Sequence, residues 1–124
     1  MTQEEKELLL KDLYARLLYS TRIHITHPSN NHIELDDWLT IGTIDNLSWF
    51  GSVKPYLRPM SSMTEEERQE YFVLSHRDND IEDNRIMTDE AIMLIDWLNA
   101  HHFDFHELIN KGLALEAPEG MYKF

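Results

Sequence analysis

The feature that most constrains the fold is a segment in the last third of the sequence, Thr88 to Gly112, which reads TDEAIMLIDWLNAHHFDFHELINKG. Thr88 is a residue type that caps helices, and the acids that follow it suit the positive end of a helix dipole. Apolar residues then recur at the spacing of one helical face, in Ala91, Leu94, Ile95 and Leu98, with Trp97 beside them. The pattern predicts a helix over 89–101 that packs against the rest of the chain.

A second, shorter helix is predicted directly after the first. Asp104 can serve as its N-cap, Glu107 lies three residues on at the capping-box position, and Gly112 can end it. This places a helix over 105–111, after a corner at His102 and Phe103. We expect the large rings of Trp97 and Phe103 to anchor the core.

The N-terminal segment carries another capping box, formed by Thr2 and Glu5. The apolar residues that follow it predict a helix over 3–18, with one face made of Leu10, Leu13, Tyr14 and Leu17 and with Leu9 beside them.

Short β-strands are predicted in the region between the helices. Alternation of polar and apolar residues over 22–27 leads into a turn at Pro28 to Asn31. Turn formers at Asp36-Asp37 and Asp45-Asn46 separate further stretches with β character, at 32–35, 38–44 and 47–56. These strands predict a small antiparallel sheet of three or four short strands over 22–57, for which an SH3-like barrel is an analogy. With the helices, the sheet predicts an α+β fold.

The organisation predicted for residues 1–124 is a single domain, as expected for a chain of this length. Thr64 and Glu67 form a further capping box, which predicts a helix over 65–74 followed by an exposed loop. The successive parts are an N-terminal helix, the sheet at 22–57, an acidic helix and loop at 61–87, a helical pair at 88–112 and a tail at 113–124.

The net charge of −12 is unevenly distributed along the chain. Residues 61–90 carry ten acids against three arginines, a formal balance of −7. A field of this sign repels nucleic-acid backbones and anionic membranes and attracts basic partners. The absence of Cys, of a secretory leader and of any apolar run near the roughly 18 residues of a membrane span predicts a cytoplasmic protein.

Histidines near the predicted helix corner are the first candidates for chemistry. His101, His102 and His106 lie close in sequence to Asp104 and Glu107, and imidazole and carboxylate groups can bind zinc. His102 and His106 are the weak metal candidates, because a cap at Asp104 breaks the helix that an HExxH-like pair needs. The alternative is that these histidines cap the preceding helix or lie half-buried. No cofactor is predicted.

Two surfaces are predicted to bind a partner. One is the aromatic strand around Trp49, Phe50, Tyr56 and Arg58, since aromatic and Arg side chains are typical interface anchors. The other is acidic and contains Glu65, Glu66, Glu67, Glu70, Asp78, Asp80, Glu82 and Asp83. The alternatives are that both faces of the strand are covered by other elements and that the acids only keep the protein soluble.

Three segments also show a resemblance to known proteins. They are MTQEEKELLLKDLYARL at the start, VKPYLRPMSSMTEEE in the middle and DWLNAHHFDFHELINKGLALEAPEGMY towards the end. They resemble segments of short uncharacterised proteins of gut Bacteroidales and their phages or mobile elements. That family has no assigned activity or ligand, so the resemblance implies only a mobile-element setting, in which small acidic proteins bind host proteins.

The predicted function is a non-catalytic protein-interaction domain that binds an unidentified basic protein, without direct contact to nucleic acid or membrane. In one version the acids imitate DNA phosphates and occupy a basic cleft. The alternative is a small metal-dependent or carboxylate enzyme that uses the cluster of His101, His102 and His106. A self-associating homo-oligomer is the third possibility.

Overall fold

The computed structural model describes residues 2–26, 34–47, 52–75 and 84–122, with the backbone alone over 84–90. These residues form four α-helices and a four-stranded sheet, which confirms the predicted α+β class. The helices are α1 (Gln3–Ala15), α2 (Ile41–Asp45), α3 (Glu65–Ser75) and α4 (Asn84–Ala100), and the strands are β1 (Arg22–Thr26), β2 (Glu34–Trp38), β3 (Ser52–Leu57) and β4 (Leu115–Glu116). None of the described helices combines the length and apolar character needed to cross a membrane.

The strands lie in the linear order β2-β1-β3-β4. The predicted antiparallel part consists of β1 with β2 on one side and β3 on the other, with Ile23 opposite Pro55. The short strand β4 then joins β3 in parallel, with Tyr56 opposite Leu115. The sheet is therefore mixed, and the described strands form an open row rather than an SH3-like barrel.

The region predicted as a strand at 38–44 contains the helix α2 instead. The side chain of Thr40 accepts a hydrogen bond from the backbone N–H of Thr43 and so caps the helix start. Ile44 is buried in the core, which outweighs the strand preference of β-branched residues. The predicted turn at Asp36-Asp37 is also wrong, because both residues lie within β2 and pair with β1.

The predicted capping box of α1 is present. The Thr2 Oγ1 accepts from the Glu5 N–H at 3.1 Å, and the Glu5 Oε1 accepts from the Thr2 N–H at 3.0 Å. The helix ends at Ala15, before a 3-10 turn, and its buried face consists of Leu9, Asp12, Leu13 and, at the C-cap, Arg16. Leu10, Leu13 and Leu17 of the predicted face contribute to the core, whereas Tyr14 is exposed.

A buried ion pair lies under α1. Arg16 Nε donates to Asp12 Oδ2 at 2.7 Å, and both side chains are fully buried. Arg16 Nη2 also donates to the Phe103 carbonyl oxygen at 2.8 Å, while His106 Nδ1 lies 2.9 Å from Asp12 Oδ1. The pair therefore connects α1 with the chain that follows α4.

The largest part of the core lies between α1 and the sheet, with Leu13, Ile23, Leu57 and Leu108 among its most buried members. A second cluster consists of Met63, Leu98 and Phe103, with Trp97 half-buried against it. Phe103 is fully buried, as expected, but it and Trp97 belong to the smaller cluster, while the larger one combines residues of α1, the strands and the segment after α4.

The predicted C-terminal helical pair is only half present. Helix α4 starts at Asn84, so Thr88 lies inside it rather than at its start. No helix forms over 105–111, where the backbone makes turns and Glu107 has a left-handed φ of 58°. Residues 102–104 pair with the end of β3: the Arg58 N–H donates to the His102 carbonyl, and the Asp104 N–H donates to the Arg58 carbonyl. The Asp104 carboxylate accepts from the backbone N–H groups of Leu108 and Ile109 in the turns that follow.

Candidate interaction surface

A groove of about 670 Å³ lies between the first turns of α3 and the segment that follows β4. Five glutamates and one arginine line it: Glu66, Glu67, Glu70, Glu116, Glu119 and Arg58. We call this concavity the acidic groove. Helix α3 supplies one wall and residues 116–120 the other, while Arg58 extends from the end of β3.

The local sequence explains how α3 comes to line the groove. The Thr64 Oγ1 accepts from the Glu67 N–H at 3.2 Å, and the Glu67 Oε1 accepts from the Thr64 N–H at 2.9 Å, which confirms the predicted capping box. Because Glu66 and Glu70 are one helical turn apart, they lie on the same side of α3. Both are exposed.

The floor of the groove is a bidentate ion pair between Arg58 and Glu67. Arg58 Nη1 donates to Glu67 Oε2 at 2.8 Å, and Nη2 donates to Oε1 at 2.7 Å. The Arg58 guanidinium also lies 4.3 Å from the centre of the Phe103 ring. Hydrogen bonds from Arg58 are the main reason why the pKa of Glu67 is lowered from 4.5 to about 2.

The acidic groove is strongly negative. Its five glutamates and one arginine leave a formal charge of −4 when His101, which also lines it, is neutral. Burial lowers the pKa of His101 and so favours its neutral form. The arginine is already held by Glu67, so an incoming cation meets the exposed carboxylates of Glu66, Glu70, Glu116 and Glu119.

The acidic residues predicted to bind a partner do not all have the same surroundings. Glu65, Glu66 and Glu70 are exposed, whereas Glu67 was predicted on the same surface but is buried by its pairing with Arg58. The remaining predicted acids, Asp78, Asp80, Glu82 and Asp83, lie outside the described residues. Three exposed carboxylates on α3 therefore represent the predicted acidic surface.

A second concavity of about 430 Å³ lies beside the acidic groove, between α3 and α4. Its lining residues are mainly apolar and include Val73, Leu74 and Trp97, together with Gln69 and Glu70. We call it the apolar trough. Trp97 Nε1 donates to Glu70 Oε2 at 2.8 Å, so the indole lies against the carboxylate that lines both concavities.

The predicted aromatic strand is described only in part, since Trp49 and Phe50 lie outside the described residues. Tyr56 extends from β3, where its hydroxyl donates to Asp36 Oδ1 at 2.7 Å. Partial burial and this hydrogen bond raise the pKa of Tyr56 to about 12. Arg58, predicted on the same surface as Tyr56, has a different partner and pairs with Glu67 in the acidic groove.

The three histidines predicted as a cluster contact three different partners. His101 Nδ1 lies 3.2 Å from Glu67 Oε2, and His106 contacts Asp12. His102 is buried and stacks on Tyr122 with 3.7 Å between ring centres, and burial lowers its pKa to about 4. Among the residues that the structure describes, no group of three or more His, Cys, Asp or Glu side chains could hold a metal ion.

Some residues of the surface were missed by the sequence analysis. Glu116 and Glu119 belong to a segment predicted as a tail, but the Ala117 N–H donates to the Leu57 carbonyl and holds this segment beside β3. The available signal was the alternation in Leu115, Glu116 and Ala117, which is too short to specify a partner strand. Val73 and Trp97 carried no signal that distinguished a surface from a core face.

The chemistry available to the acidic groove is the binding of positive charge, because its accessible groups are carboxylates. The apolar trough adds a surface that can exclude water from an apolar side chain. Comparison of the chain with models of protein families, with curated proteins and with solved structures finds no match.

Proposed function

We propose that the protein is a non-catalytic interaction domain that binds a basic segment of another protein in the acidic groove. The observation that carries this proposal is the grouping of five glutamates around a single arginine that is already neutralised by one of them. Lys or Arg side chains of a partner would contact the exposed carboxylates, mainly those of Glu66, Glu70 and Glu119.

The resemblance to proteins of Bacteroidales phages and mobile elements suggests the setting of the proposal. In that setting the partner is a basic host protein and the domain is an accessory protein. The DNA-mimic version requires a row of carboxylates along α3 and the residues after it. The exposed Glu65, Glu66 and Glu70 are compatible with the start of such a row.

The proposal is tested with a fluorescent oligoarginine peptide, whose binding is measured by anisotropy at low and at high salt. We expect binding at low salt that weakens steeply as salt is added, since the contacts are between exposed charges. Neutralising two groove acids in the double variant Glu66→Gln/Glu119→Gln should weaken binding at low salt by about tenfold.

The control is the double variant Glu4→Gln/Glu7→Gln, which removes the same charge from exposed positions on α1 that do not line the groove. Its affinity should stay close to that of the unmodified protein. An equal loss in both variants would mean that only net charge matters and would contradict a specific groove. The mimic version is tested by adding duplex DNA to a complex of this protein with a basic protein. DNA should displace this protein, because a mimic and DNA occupy the same cleft.

A further inference from the structure

The acidic groove and the apolar trough adjoin at Glu70. Glu70 lines both, and its carboxylate accepts the hydrogen bond from the Trp97 indole. Trp97 in turn stacks at a tilt on His101, with 4.4 Å between ring centres, and His101 lines the acidic groove. The two concavities therefore border one another, and one ligand can contact both.

Helical spacing shows why the two concavities lie in one line along α3. On α3, Glu66, Glu70 and Val73 are separated by four and three residues and so lie on one face. Trp97 in α4 and His101 just after its end are four residues apart, and they line the opposite side. We call the combined feature the furrow, which is acidic at one end and apolar at the other.

The apolar end of the furrow exposes apolar side chains to water. Val73, which lines the trough, is 57% exposed, and the surface of the trough consists mainly of carbon atoms. Apolar surface of this kind, bordered by polar groups, is typical of sites where another molecule binds. A ligand that carries only positive charge would bind the acidic end but would gain nothing from contact with Val73 or Leu74. A ligand that fits the whole furrow therefore also needs apolar side chains.

We infer that the furrow binds an amphipathic helix whose apolar stripe enters the trough and whose lysine or arginine residues contact the groove glutamates. This inference rests on the proposed function and names its partner more closely. Recognition of a helix in a groove uses apolar anchors at i, i+3, i+4 and i+7, which suits a trough between two helices. The formal charge of −4 in the groove complements basic residues on the same helix.

The charges also argue against the other occupants of the furrow. A second copy of the chain would bring its own formal charge of −12 to an acidic groove, which costs electrostatic free energy. An extended basic peptide would satisfy the glutamates but would leave Val73 and Trp97 in contact with water. The amphipathic helix satisfies both ends of the furrow.

The test compares two peptides of about 18 residues with the same composition, a length at which a helix can form on binding. One peptide places leucines on a single helical face and lysines beside it, and the other has the same residues in scrambled order. Isothermal titration calorimetry should show at least about tenfold tighter binding of the amphipathic peptide. The variant Val73→Gln should reduce that affinity about fivefold.

The matched control is Ile92→Gln, which replaces an equally accessible apolar residue, 52% exposed, that does not line the trough. It should leave the affinity unchanged. If both peptides bind equally and only Glu66→Gln/Glu119→Gln weakens them, the acidic groove stands and the amphipathic helix is overturned. If neither peptide nor oligoarginine binds, the proposed function fails as well, and a dimer in sedimentation that Val73→Gln dissociates would assign the furrow to a second copy.

Discussion

Two regions of this protein use the same residue types for different purposes. Under α1, the Asp12 carboxylate is fully buried and contacts both Arg16 and His106. In the acidic groove, four of the five glutamates are exposed, and within the described part of the chain only Glu67 is held by an arginine. The difference shows that an acidic composition alone does not identify a binding surface, because the surroundings decide which carboxylates stabilise the fold and which remain accessible.

The largest expected effect follows from breaking the buried pair under α1. Replacing Arg16→Ala leaves Asp12 buried without its guanidinium and should lower the free energy of unfolding by about 3–5 kcal/mol. Denaturation with urea measures the loss. The control is Arg68→Ala, because Arg68 and Glu65 form an exposed pair at 3.9 Å and the change should cost less than about 0.5 kcal/mol. Equal effects in the two variants would remove the distinction between the regions.

The next largest effect is expected at Glu67, which lines the acidic groove but is buried and paired with an arginine, as Asp12 is. The variant Glu67→Gln should lower the free energy of unfolding at neutral pH by roughly 2–3 kcal/mol. The folded-state pKa of about 2 lies below the ordinary 4.5, so the stabilisation is present above pH 4.5 and is lost as the pH falls toward 2. Urea denaturation across this pH range should show the difference between the two proteins shrinking. A difference that does not depend on pH would assign Glu67 a packing role only.

A smaller effect is expected at Tyr122, which connects the interior with the wall of the groove. Its hydroxyl donates to the Tyr56 carbonyl at 2.7 Å and accepts from the Arg22 N–H at 2.8 Å. Tyr122→Phe leaves both backbone groups without this partner and should cost about 1–2 kcal/mol of unfolding free energy. Tyr14→Phe is the control at an exposed ring and should change stability by less than about 0.5 kcal/mol.

The smallest effect on stability is expected in the groove itself. Glu66→Gln/Glu119→Gln should change the free energy of unfolding by less than about 0.5 kcal/mol, because both side chains are exposed. The same variant should weaken peptide binding, so thermal denaturation and anisotropy are measured on one preparation. A marked loss of stability would mean that these acids support the fold, as Asp12 does.

Local signals in the sequence predicted local structure well. The capping boxes at Thr2 and Thr64 mark the starts of α1 and α3, because the side chain and the backbone N–H groups that they join are only three residues apart. The alternation over 22–27 likewise predicted β1. Each of these signals depends on neighbouring residues and needs no knowledge of the rest of the fold.

Structure that depends on contacts between residues distant in sequence could not be predicted from local patterns. Arg58 pairs with Glu67 through its position at the end of β3, and its backbone pairs with residues 102–104, directly before the segment predicted as a second helix. Glu107 adopts a left-handed backbone that is normally favoured by glycine, so its residue type gives no warning of the turn. Of the residues that line the acidic groove, Arg58 and the glutamates of α3 were among the predicted candidates, whereas Glu116 and Glu119 of the second wall were not.

The hydrogen bond from Tyr122 to Tyr56 spans 66 positions of the chain. The two walls of the acidic groove are also far apart in sequence: Glu66 on α3 and Glu116 on the other wall are 50 positions apart, so a ribosome synthesises them several seconds apart, at the usual rate of about 5–20 residues per second. A nascent chain that has emerged only as far as α3 already displays its glutamates but has no second wall to oppose them. If the furrow binds a basic helix, as we propose, only chains in which the second wall has folded would bind it.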